Sequence, residues 1–404
     1  MSLQIARRIH RVKPSPTLAM TARAAALRAE GKDVISLSVG EPDFDTPAHI
    51  GDAAIAAIRG GYTRYTNADG APELKDAIIA KFERDNGIRY TRKQVLVSSG
   101  AKQTLFNLCM AVLDPGDEVV IPSPYWVSYP DMVMLADGLP VTPDAGPEQG
   151  YKITPRQLAA SINNRTRIVM LNSPSNPTGA AYTRAELRAL GEVLLEHPLV
   201  LVAVDDIYEK IYWAEEPFCS LLTAVPALYD RTVTINGCSK GYAMTGWRIG
   251  YCGGPEQVIA AMATVQGQST TNASSISQKA AIAALNGPQD AMASMNAAFK
   301  ARHDYFVAAL NSVPGFKVLP GAGTFYAFAD IRGAMQALGL RDDNAFCEFV
   351  LAEALVAGVA GSGFGAPGHI RFSFACSQQT LELAVERIRA AMARAGVGRS
   401  VGGT

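Results

Sequence analysis

The stretch VLVAVDDIYEK, residues 200–210, joins an apolar run directly to a cluster of charged and polar residues. A short apolar run that ends in turn-forming residues predicts a buried strand, here Val200–Val204. Similar runs occur elsewhere, at Gln94–Val97, Glu118–Ile121, Arg167–Leu171, Thr232–Ile235 and Arg248–Cys252. Helical patterns alternate with these runs between about residues 95 and 300. The sequence therefore predicts an α/β fold with a large domain whose mostly parallel central sheet is flanked by helices.

Helix signals fill the gaps between these strands and continue to the C-terminus. Pro47 suits the first position of a helix, Lys102–Leu113 ends at a turn, and Thr183–Glu196 opens on a threonine N-cap. Beyond about residue 300 we expect a helix near Ala301–Leu310, a strand Thr324–Ala329, a helix near Asn344–Ala357, a strand His369–Ala375 and a helix from Thr380. This order predicts a smaller α+β domain formed by the C-terminal region and the N-terminal segment.

The predicted division has three parts. Residues 1–46 form an N-terminal arm and part of the small domain, 47–300 the large domain, and 301–404 the C-terminal small domain. Gly146–Gly150 and Gly361–Gly368 are predicted loops, and the Gly-rich end 397–404 is expected to fray.

The composition favours small-molecule chemistry over nucleic-acid or membrane binding. Of the 404 residues, 37 are Lys or Arg and 37 are Asp or Glu, so no basic surplus exists to hold nucleic acid or an anionic membrane. The N-terminus carries charges where a signal peptide needs an apolar core, and no run is long enough to span a bilayer. Six scattered cysteines predict reduced, buried thiols, and five isolated histidines predict no metal site. We therefore expect a cytoplasmic protein.

Chemically active residue types follow four of the predicted strands. The segments are Ser98–Lys102, Asn172–Gly179, Asp205–Tyr208 and Asn236–Lys240. In open α/β sheets, ligands bind beyond the carboxyl ends of the strands. The sequence therefore predicts one site where these four segments converge.

Each of these residues also has a purely structural interpretation. Gly100 is as typical of a tight turn as of a phosphate cradle. The tandem acids Asp205 and Asp206 suit a solvated strand end, but Asp205 follows an apolar run where an unpaired carboxylate is costly, which favours a buried cationic partner. Most lysines are surface charges, yet Lys240 lies in a stretch poor in charge, where burial would lower its pKa and make it nucleophilic. Arg371 suits an exposed strand edge and a carboxylate-binding fork equally.

In their order and spacing, these motifs resemble a known family. The chain is similar to the class I aminotransferases of pyridoxal-phosphate fold type I, especially the bacterial aspartate aminotransferase branch. The matching segments run nearly end to end: KPSPT (13–17), VGEPDFDTP (39–47), YTRYTNADGAPELK (62–75), SSGAKQ (98–103), PSPYWVSYP (122–130), NSPSNPTG (172–179), DDIYE (205–209), SKGYAMTGWRIGY (239–251) and HIRFSFA (369–375).

The resemblance implies that the cofactor is pyridoxal 5′-phosphate, bound by Lys240 as an imine. Lys240 would later move the proton between the substrate Cα and the cofactor. Asp205 would pair with the protonated pyridine nitrogen, and Trp126 would lie against the ring face. Tyr208 and Asn176 would hydrogen-bond the phenolic oxygen of the cofactor.

The resemblance also implies a phosphate site and a homodimer. The phosphate would rest on the helix N-terminus at Gly100, Ala101 and Lys102, with Arg248 opposite. Tyr65 would reach in from the second subunit, so that each active site is composite.

For the substrate, the resemblance implies that Arg371 binds the α-carboxylate in bidentate fashion, assisted by Asn176 and next to Trp126. The backbone at Gly40 would close over it. This arrangement would fix the orientation of the substrate Cα–H bond.

The chain departs from some close relatives at one position that affects specificity. Those relatives carry a basic residue for a side-chain carboxylate where this chain has Met110. Lys13, Ser15 and Thr17 are candidates to bind a distal carboxylate instead, and some relatives with this KPSPT segment also accept prephenate. Ser239 is a further candidate for contact with the phosphate.

The predicted function is an aminotransferase that exchanges amino and keto groups between a dicarboxylic amino acid, most simply aspartate or glutamate, and a 2-oxo acid by a ping-pong mechanism. The alternatives on the same scaffold are an aromatic or prephenate aminotransferase and a pyridoxal-phosphate lyase. A pyridoxal-phosphate-sensing regulator is disfavoured because the motifs begin near residue 13 and leave no room for a basic DNA-binding domain. A further alternative is an α/β protein that binds no cofactor, and such a protein would be colourless when purified.

Overall fold

Strands and helices alternate along residues 3–397, the part of the chain that the computed structural model describes. In chain order the α-helices are α1 (Pro16–Ala29), α2 (Ala48–Arg59), α3 (Pro72–Asn86), α4 (Ala101–Val112), α5 (Ser128–Leu135), α6 (Pro155–Ser161), α7 (Arg184–Leu195), α8 (Leu221–Ala224), α9 (Glu256–Gly267), α10 (Ser275–Asn286), α11 (Asp290–Asn311), α12 (Arg332–Leu338), α13 (Asp343–Ala354) and α14 (Gln378–Arg394). The strands are β1 (Ile35–Ser36), β2 (Val95–Ser98), β3 (Glu118–Val120), β4 (Leu139–Val141), β5 (Thr166–Asn172), β6 (Leu201–Asp205), β7 (Thr232–Gly237), β8 (Gly250–Gly253), β9 (Lys317–Val318), β10 (Tyr326–Asp330), β11 (Val356–Ala357), β12 (Val359–Ala360) and β13 (His369–Ser373).

The central sheet has the strand order β2-β8-β7-β6-β5-β3-β4. Neighbouring strands pair in parallel from β7 to β4, whereas β8 runs antiparallel to both β2 and β7. This confirms the prediction of a mostly parallel sheet flanked by helices.

Both faces of the sheet are buried, which explains why its strands are almost continuously apolar. Successive side chains of a strand point to opposite faces. In β5, Ile168 and Met170 join one core cluster, while Val169 and Leu171 join the other. Helices α4, α5 and α9 cover the first face, and α3, α7 and α10 contribute to the core on the second.

A second, antiparallel sheet of order β12-β13-β10-β9 forms the smaller α+β region, with buried residues of α11, α13 and α14 in its core. The N-terminal segment joins this region because β1 pairs in parallel with β11. The predicted fold class is therefore confirmed. The predicted limits after residues 46 and 300 stay a prediction, and α11 is continuous across the second of them.

Several predicted boundaries were wrong for local reasons. Arg248 cannot belong to a strand because its φ of 58° is left-handed, and β8 begins only at Gly250. Pro47 is the N-cap of α2 rather than its first residue. The helix predicted near 301–310 is the second half of α11, and the strand predicted at 324–329 begins two residues later, after Thr324 at φ 68°.

The helix predicted over 344–357 ends early. Leu355 has a left-handed φ of 53°, which terminates α13, and Val356 and Ala357 instead form β11. The predicted strand 369–375 ends at Ser373, and α14 begins at Gln378 on the side-chain cap of Ser377. Short 3₁₀ turns occupy parts of both predicted loops, at Pro147–Gln149 and Gly361–Phe364. The predicted frayed end lies outside the described residues apart from Val397.

The cysteines agree with the prediction of buried thiols. All six are free within the described chain; five are buried and Cys376 is half-buried. No helix among residues 3–397 is both long and apolar enough to cross a membrane. In the same residues, no group of three or more His, Cys, Asp or Glu side chains is arranged to hold a metal ion.

Candidate active site

The four segments predicted to converge do meet at the carboxyl edge of the central sheet. The register pairs Asn172 with Asp205 and Asp205 with Ile235, so the ends of β5, β6 and β7 are adjacent. A cavity of about 360 Å³ opens there. The predicted residues that line it are Ser15, Thr17, Gly40, Ala101, Lys102, Trp126, Asn176, Asp205, Tyr208, Ser239, Lys240, Arg248 and Arg371.

Lys240 lies in the turn after β7 and is half-buried at the cavity wall. Its Nζ donates a hydrogen bond to the carbonyl of Gly40 at 2.5 Å and lies 5.7 Å from the centre of the Phe325 ring. Burial, assisted by the positive charge of Arg371, lowers the pKa of this amine to about 8. The neutral, nucleophilic fraction of this amine near neutral pH is therefore much larger than that of a solvated lysine.

Asp205 is the last residue of β6 and is buried, 6% exposed. Its carboxylate accepts hydrogen bonds from the Tyr129 hydroxyl at 2.6 Å and from the backbone N–H of Ile207 at 3.2 Å. Burial raises the pKa of Asp205 to about 6, although the Tyr129 hydrogen bond acts in the opposite direction. Asp206 is buried as well, so the solvated strand end considered from the sequence is wrong for both acids.

Tyr208 lies in the loop after β6, and the next residue of that loop is anchored to α3. The neighbouring Glu209 forms a buried ion pair with Lys81 of α3 and accepts a hydrogen bond from Asn86 at 3.0 Å. Pairing of both charges makes this burial tolerable. The Tyr208 hydroxyl lies 2.9 Å from the hydroxyl of Tyr326 on β10.

Gly100 and Arg248 form a close contact at the N-terminus of α4. Gly100 is the N-cap, with φ of 89°, and a Cβ added there would lie 2.3 Å from an Nη atom of Arg248. Only glycine tolerates both conditions without strain. The exposed guanidinium of Arg248 therefore lies directly beside the free N–H groups that begin α4, and both favour an anion at this point.

Arg371 is buried, 2% exposed, and is not the exposed edge residue considered from the sequence. The reason is topological, because β13 is an inner strand between β12 and β10. Its guanidinium donates to Asn176 Oδ1 at 2.9 Å and to the carbonyl of Ser38 at 2.6 Å. The rings of Tyr326 and Phe364 lie 4.4 and 4.9 Å from its Cζ. Three of its five N–H donors remain without a hydrogen bond to the described residues, which suits a carboxylate.

Not every predicted residue reaches the cavity. Gly100 lies just behind its wall. Lys13 is exposed and close to Asp131 rather than among the lining residues. Tyr65 is 89% exposed and Met110, towards the end of α4, is 37% exposed, and neither lines the cavity.

Of the cavity residues that were missed from the sequence, two tyrosines contact predicted site residues. Tyr129 contacts Asp205, and it lies three residues beyond Trp126 in the PSPYWVSYP motif, so the signal was present. Tyr326 lies inside a predicted strand, where nothing in the local pattern distinguishes it from a core aromatic residue. Only its contacts with Tyr208 and Arg371 identify it.

The charges around the cavity favour an anionic ligand. Four basic side chains line it, Lys102, Lys240, Arg248 and Arg371, against the two acids Glu41 and Asp205. The buried acid, Asp205, ends β6, and its negative charge acts on the amine of Lys240. Such a site can bind a ligand with several negative charges, one of them at the α4 N-terminus, and hold a buried carboxylate against a cationic ring.

Known proteins resemble the chain in both sequence and fold. The family described as aminotransferase class I and II matches residues 32–388. An aspartate/prephenate aminotransferase of Nitrosomonas europaea is 53% identical over 392 residues, which cover 96% of this chain and 99% of that protein. The crystal structure of the aspartate aminotransferase from Rhizobium meliloti has a TM-score of 0.93 and 49% identity, covering 97% of this chain and 100% of that one. The Thermus thermophilus aspartate aminotransferase with maleate has a TM-score of 0.90 and 41% identity, covering 96% and 100%. The chain therefore belongs to the class I and II aminotransferase family.

Proposed function

We propose that this chain is a pyridoxal-phosphate-dependent aminotransferase that moves an amino group between a dicarboxylic amino acid and a 2-oxo acid. The observation that carries the proposal is the placement of a half-buried amine, Lys240, and a buried carboxylate, Asp205, in one cavity with two arginines, Arg248 and Arg371. The membership of the family supports the reaction type.

The described residues fit pyridoxal 5′-phosphate. A Cβ at Gly100 would clash with the Arg248 guanidinium, so the glycine lets Arg248 lie against the N-terminus of α4, a helix end suited to phosphate. Asp205 is a buried carboxylate with no cationic side chain in hydrogen-bond contact among residues 3–397, as a partner for a protonated ring nitrogen should be. Lys240 has the lowered pKa that bonding to an aldehyde needs.

When bound, the cofactor supplies an aldehyde that bonds to amines and a cationic ring that withdraws electrons from the substrate Cα. Lys240 supplies the amine for that bond and, once released, accepts and returns the Cα proton. Asp205 keeps a negative charge in the cavity wall, and the hydrogen bond from Tyr129 holds that carboxylate in place. Arg371 and Asn176 bind the α-carboxylate and thereby aim the Cα–H bond.

The substrate class follows from charge and from the relatives. A dicarboxylic substrate brings a second carboxylate, and Lys102 remains available for it after Arg248 and Arg371 are assigned. Ser15 and Thr17 line the same cavity and can donate hydrogen bonds to it, whereas Lys13 does not line it. The Nitrosomonas relative is named for both aspartate and prephenate, which keeps a prephenate or aromatic aminotransferase as the second candidate.

We further propose that the protein works as a homodimer with composite sites. Tyr65 is 89% exposed and lies in the motif that the family resemblance assigns to the neighbouring subunit. The N-terminal arm exposes Leu3 at 93% and Ile5 at 59%, and apolar side chains this exposed favour an interface. Each site would then be completed by Tyr65 of the second copy.

The proposal is tested by colour and by a substrate panel. The purified protein loaded with pyridoxal phosphate should absorb in the visible range, and the band should change when an amino acid is added. We expect kcat/KM with 2-oxoglutarate to be highest for aspartate, compared with phenylalanine and with the amino form of prephenate. A colourless protein that binds no pyridoxal phosphate would contradict the cofactor assignment, and a preference for the amino form of prephenate would favour the second candidate.

The buried charge of Asp205 predicts a pH-dependent stability change in Asp205→Asn. Its folded-state pKa of about 6 lies above its ordinary value of 3.8, so the native state binds this proton more tightly than the unfolded state does. The stabilising contribution is fully present below about pH 4 and is lost as pH rises through about 6. The ionised carboxylate then costs on the order of 3 kcal/mol in the cofactor-free protein.

We therefore expect cofactor-free Asp205→Asn to be more stable than the wild type at pH 8, with the difference shrinking below pH 6. Urea unfolding at both pH values measures it. The cofactor should reverse the order, because only the carboxylate pairs with a cationic ring. If the wild type and Asp205→Asn had equal free energies of unfolding at pH 8 without cofactor, the ionised Asp205 carboxylate would not destabilise the fold, and the prediction would be wrong.

A further inference from the structure

Tyr326 connects the two halves of the proposed site. It is buried, 2% exposed, on β10 of the smaller sheet. Its hydroxyl lies 2.9 Å from that of Tyr208, and its ring centre lies 4.4 Å from Cζ of Arg371. A Cβ added to Gly40 would lie 2.0 Å from the Tyr326 hydroxyl, so this oxygen also touches the Gly40 backbone. One side chain therefore contacts three residues to which cofactor and substrate roles are proposed.

The position of Tyr326 is fixed by its strand. β10 is an inner strand, paired with both β13 and β9, and residue 326 pairs with Ser373. The ring of Phe325 packs 4.8 Å from that of Tyr326. Because its strand and its ring are both packed in place, the Tyr326 hydroxyl points in one fixed direction.

The direction of the hydrogen bond between Tyr208 and Tyr326 follows from the number of protons that the two phenols carry. Each hydroxyl has a single proton, so one phenol donates to the other. If Tyr208 donates into the cavity, its oxygen must accept from Tyr326, and this makes Tyr208 a stronger donor. The ionisable groups that face Tyr326 are Tyr208, in the loop after β6, and Arg371, on β13. Burial raises the pKa of the Tyr326 phenol, so it is a neutral donor in the working pH range.

We propose that Tyr326 is a positioning residue, which couples occupation of Arg371 by a carboxylate to the hydrogen bond that Tyr208 donates to the cofactor. A carboxylate on Arg371 neutralises the charge over the Tyr326 ring and weakens the donation towards Tyr208. Asn176 offers a second connection, since it accepts from the same guanidinium at 2.9 Å. Tyr326 therefore carries part of the coupling. The inference rests on the proposed function and adds a residue to it.

The test is the variant Tyr326→Phe, which removes the hydroxyl and keeps the ring. The holoenzyme is titrated with pH while its visible band is recorded, with and without maleate, a dicarboxylate that lacks an amino group. Tyr208 donation favours the deprotonated form of the Lys240 linkage. We therefore expect the midpoint of Tyr326→Phe to rise by about 0.5–1 pH unit without maleate, the effect of about one lost hydrogen bond. The shift that maleate produces should be smaller than in the wild type.

A matched control is Tyr182→Phe. Tyr182 is a buried phenol that accepts a hydrogen bond from Ile153 N–H at 3.0 Å and does not line the cavity. It should lose thermal stability without a change in midpoint. If Tyr326→Phe also loses only stability, and keeps the wild-type midpoint and maleate response, its role is structural and the inference is wrong. A wild type without a visible band would instead overturn the proposed function itself.

Discussion

Lys240→Ala is expected to lower kcat for transamination by about 10⁴-fold or more, the upper range of general acid–base catalysis alone. The lysine is required twice, because it provides the amine for the covalent bond and then moves the Cα proton. Within residues 3–397, Lys102 is the only other lysine in the cavity wall. Its Nζ lies over the Trp126 ring, 5.0 Å from the ring centre, so we do not expect it to replace Lys240. Stopped-flow absorbance after mixing with aspartate measures the remaining rate.

The variant Lys240→Arg distinguishes the role of Lys240 as a nucleophile from its role as a positive charge. Arginine keeps the positive charge but does not lose its proton, so the loss should be as large as for alanine. The matched control is Lys152→Ala, a half-buried lysine outside the cavity that pairs with Glu186 at 2.6 Å, and it should retain colour and rate. Borohydride reduction followed by peptide mapping should label Lys240 in the wild type. A label on a different lysine would remove the basis of the whole assignment.

Arg371→Leu is expected to lower kcat/KM by about 10²–10⁴-fold. Two charge-assisted hydrogen bonds to the α-carboxylate contribute about 1.5–3 kcal/mol each, and both are lost. The loss should appear in KM, from weaker binding, and in kcat, from the lost orientation of the Cα–H bond. The visible band should persist, because Lys240 and Asp205 remain. Steady-state kinetics with aspartate and 2-oxoglutarate measure the change.

Two further variants test whether the effect is specific. Arg371→Lys keeps the charge without the planar fork and should fall between wild type and leucine. Arg231→Leu is the matched control, because Arg231 lies at the opposite edge of the sheet, where it donates to the carbonyls of Leu194, His197 and Val200. It should lower stability and leave kcat/KM close to the wild type. Equal losses of kcat/KM in Arg371→Leu and Arg231→Leu would mean that Arg371 acts only through folding.

The central strands could be predicted to within two residues because each is buried on both faces. Apolar runs such as 200–204 and 167–171 have no other stable location in a chain of this size. The errors occur where a single backbone angle decides the outcome. Leu355 and Arg248 both adopt positive φ, for which their side chains give no sequence signal. As a result α13 ends before Leu355, and β8 begins only after Arg248. The edge strand β4, with Leu139 exposed at 47%, was missed because it lacks the apolar run of an inner strand.

The candidate site was predictable where a residue follows a strand. Asp205 ends β6, Asn176 lies four residues after the end of β5, and Lys240 lies three residues after the end of β7, so the parallel register brings them together. Tyr326 could not be found this way, because it lies within a strand and its partners are distant in the sequence. Arg371 is brought to it by the pairing of β13 with β10 in the smaller sheet, and Tyr208 comes from the loop after β6 of the central sheet.

The sequence by itself determined the alternation of strands and helices, the four segments at one sheet edge and the family resemblance. The first two features depend on local periodicity and on the parallel pairing rule, which act over neighbouring residues. The resemblance depends on motifs matched in order and spacing along the chain. Only the tertiary structure decided that Arg371 is buried against two rings, that Tyr129 holds Asp205, and that Lys13 stays out of the cavity. Burial and contact are properties of packing between distant segments, and they set the pKa values of Asp205 and Lys240 on which the chemistry depends.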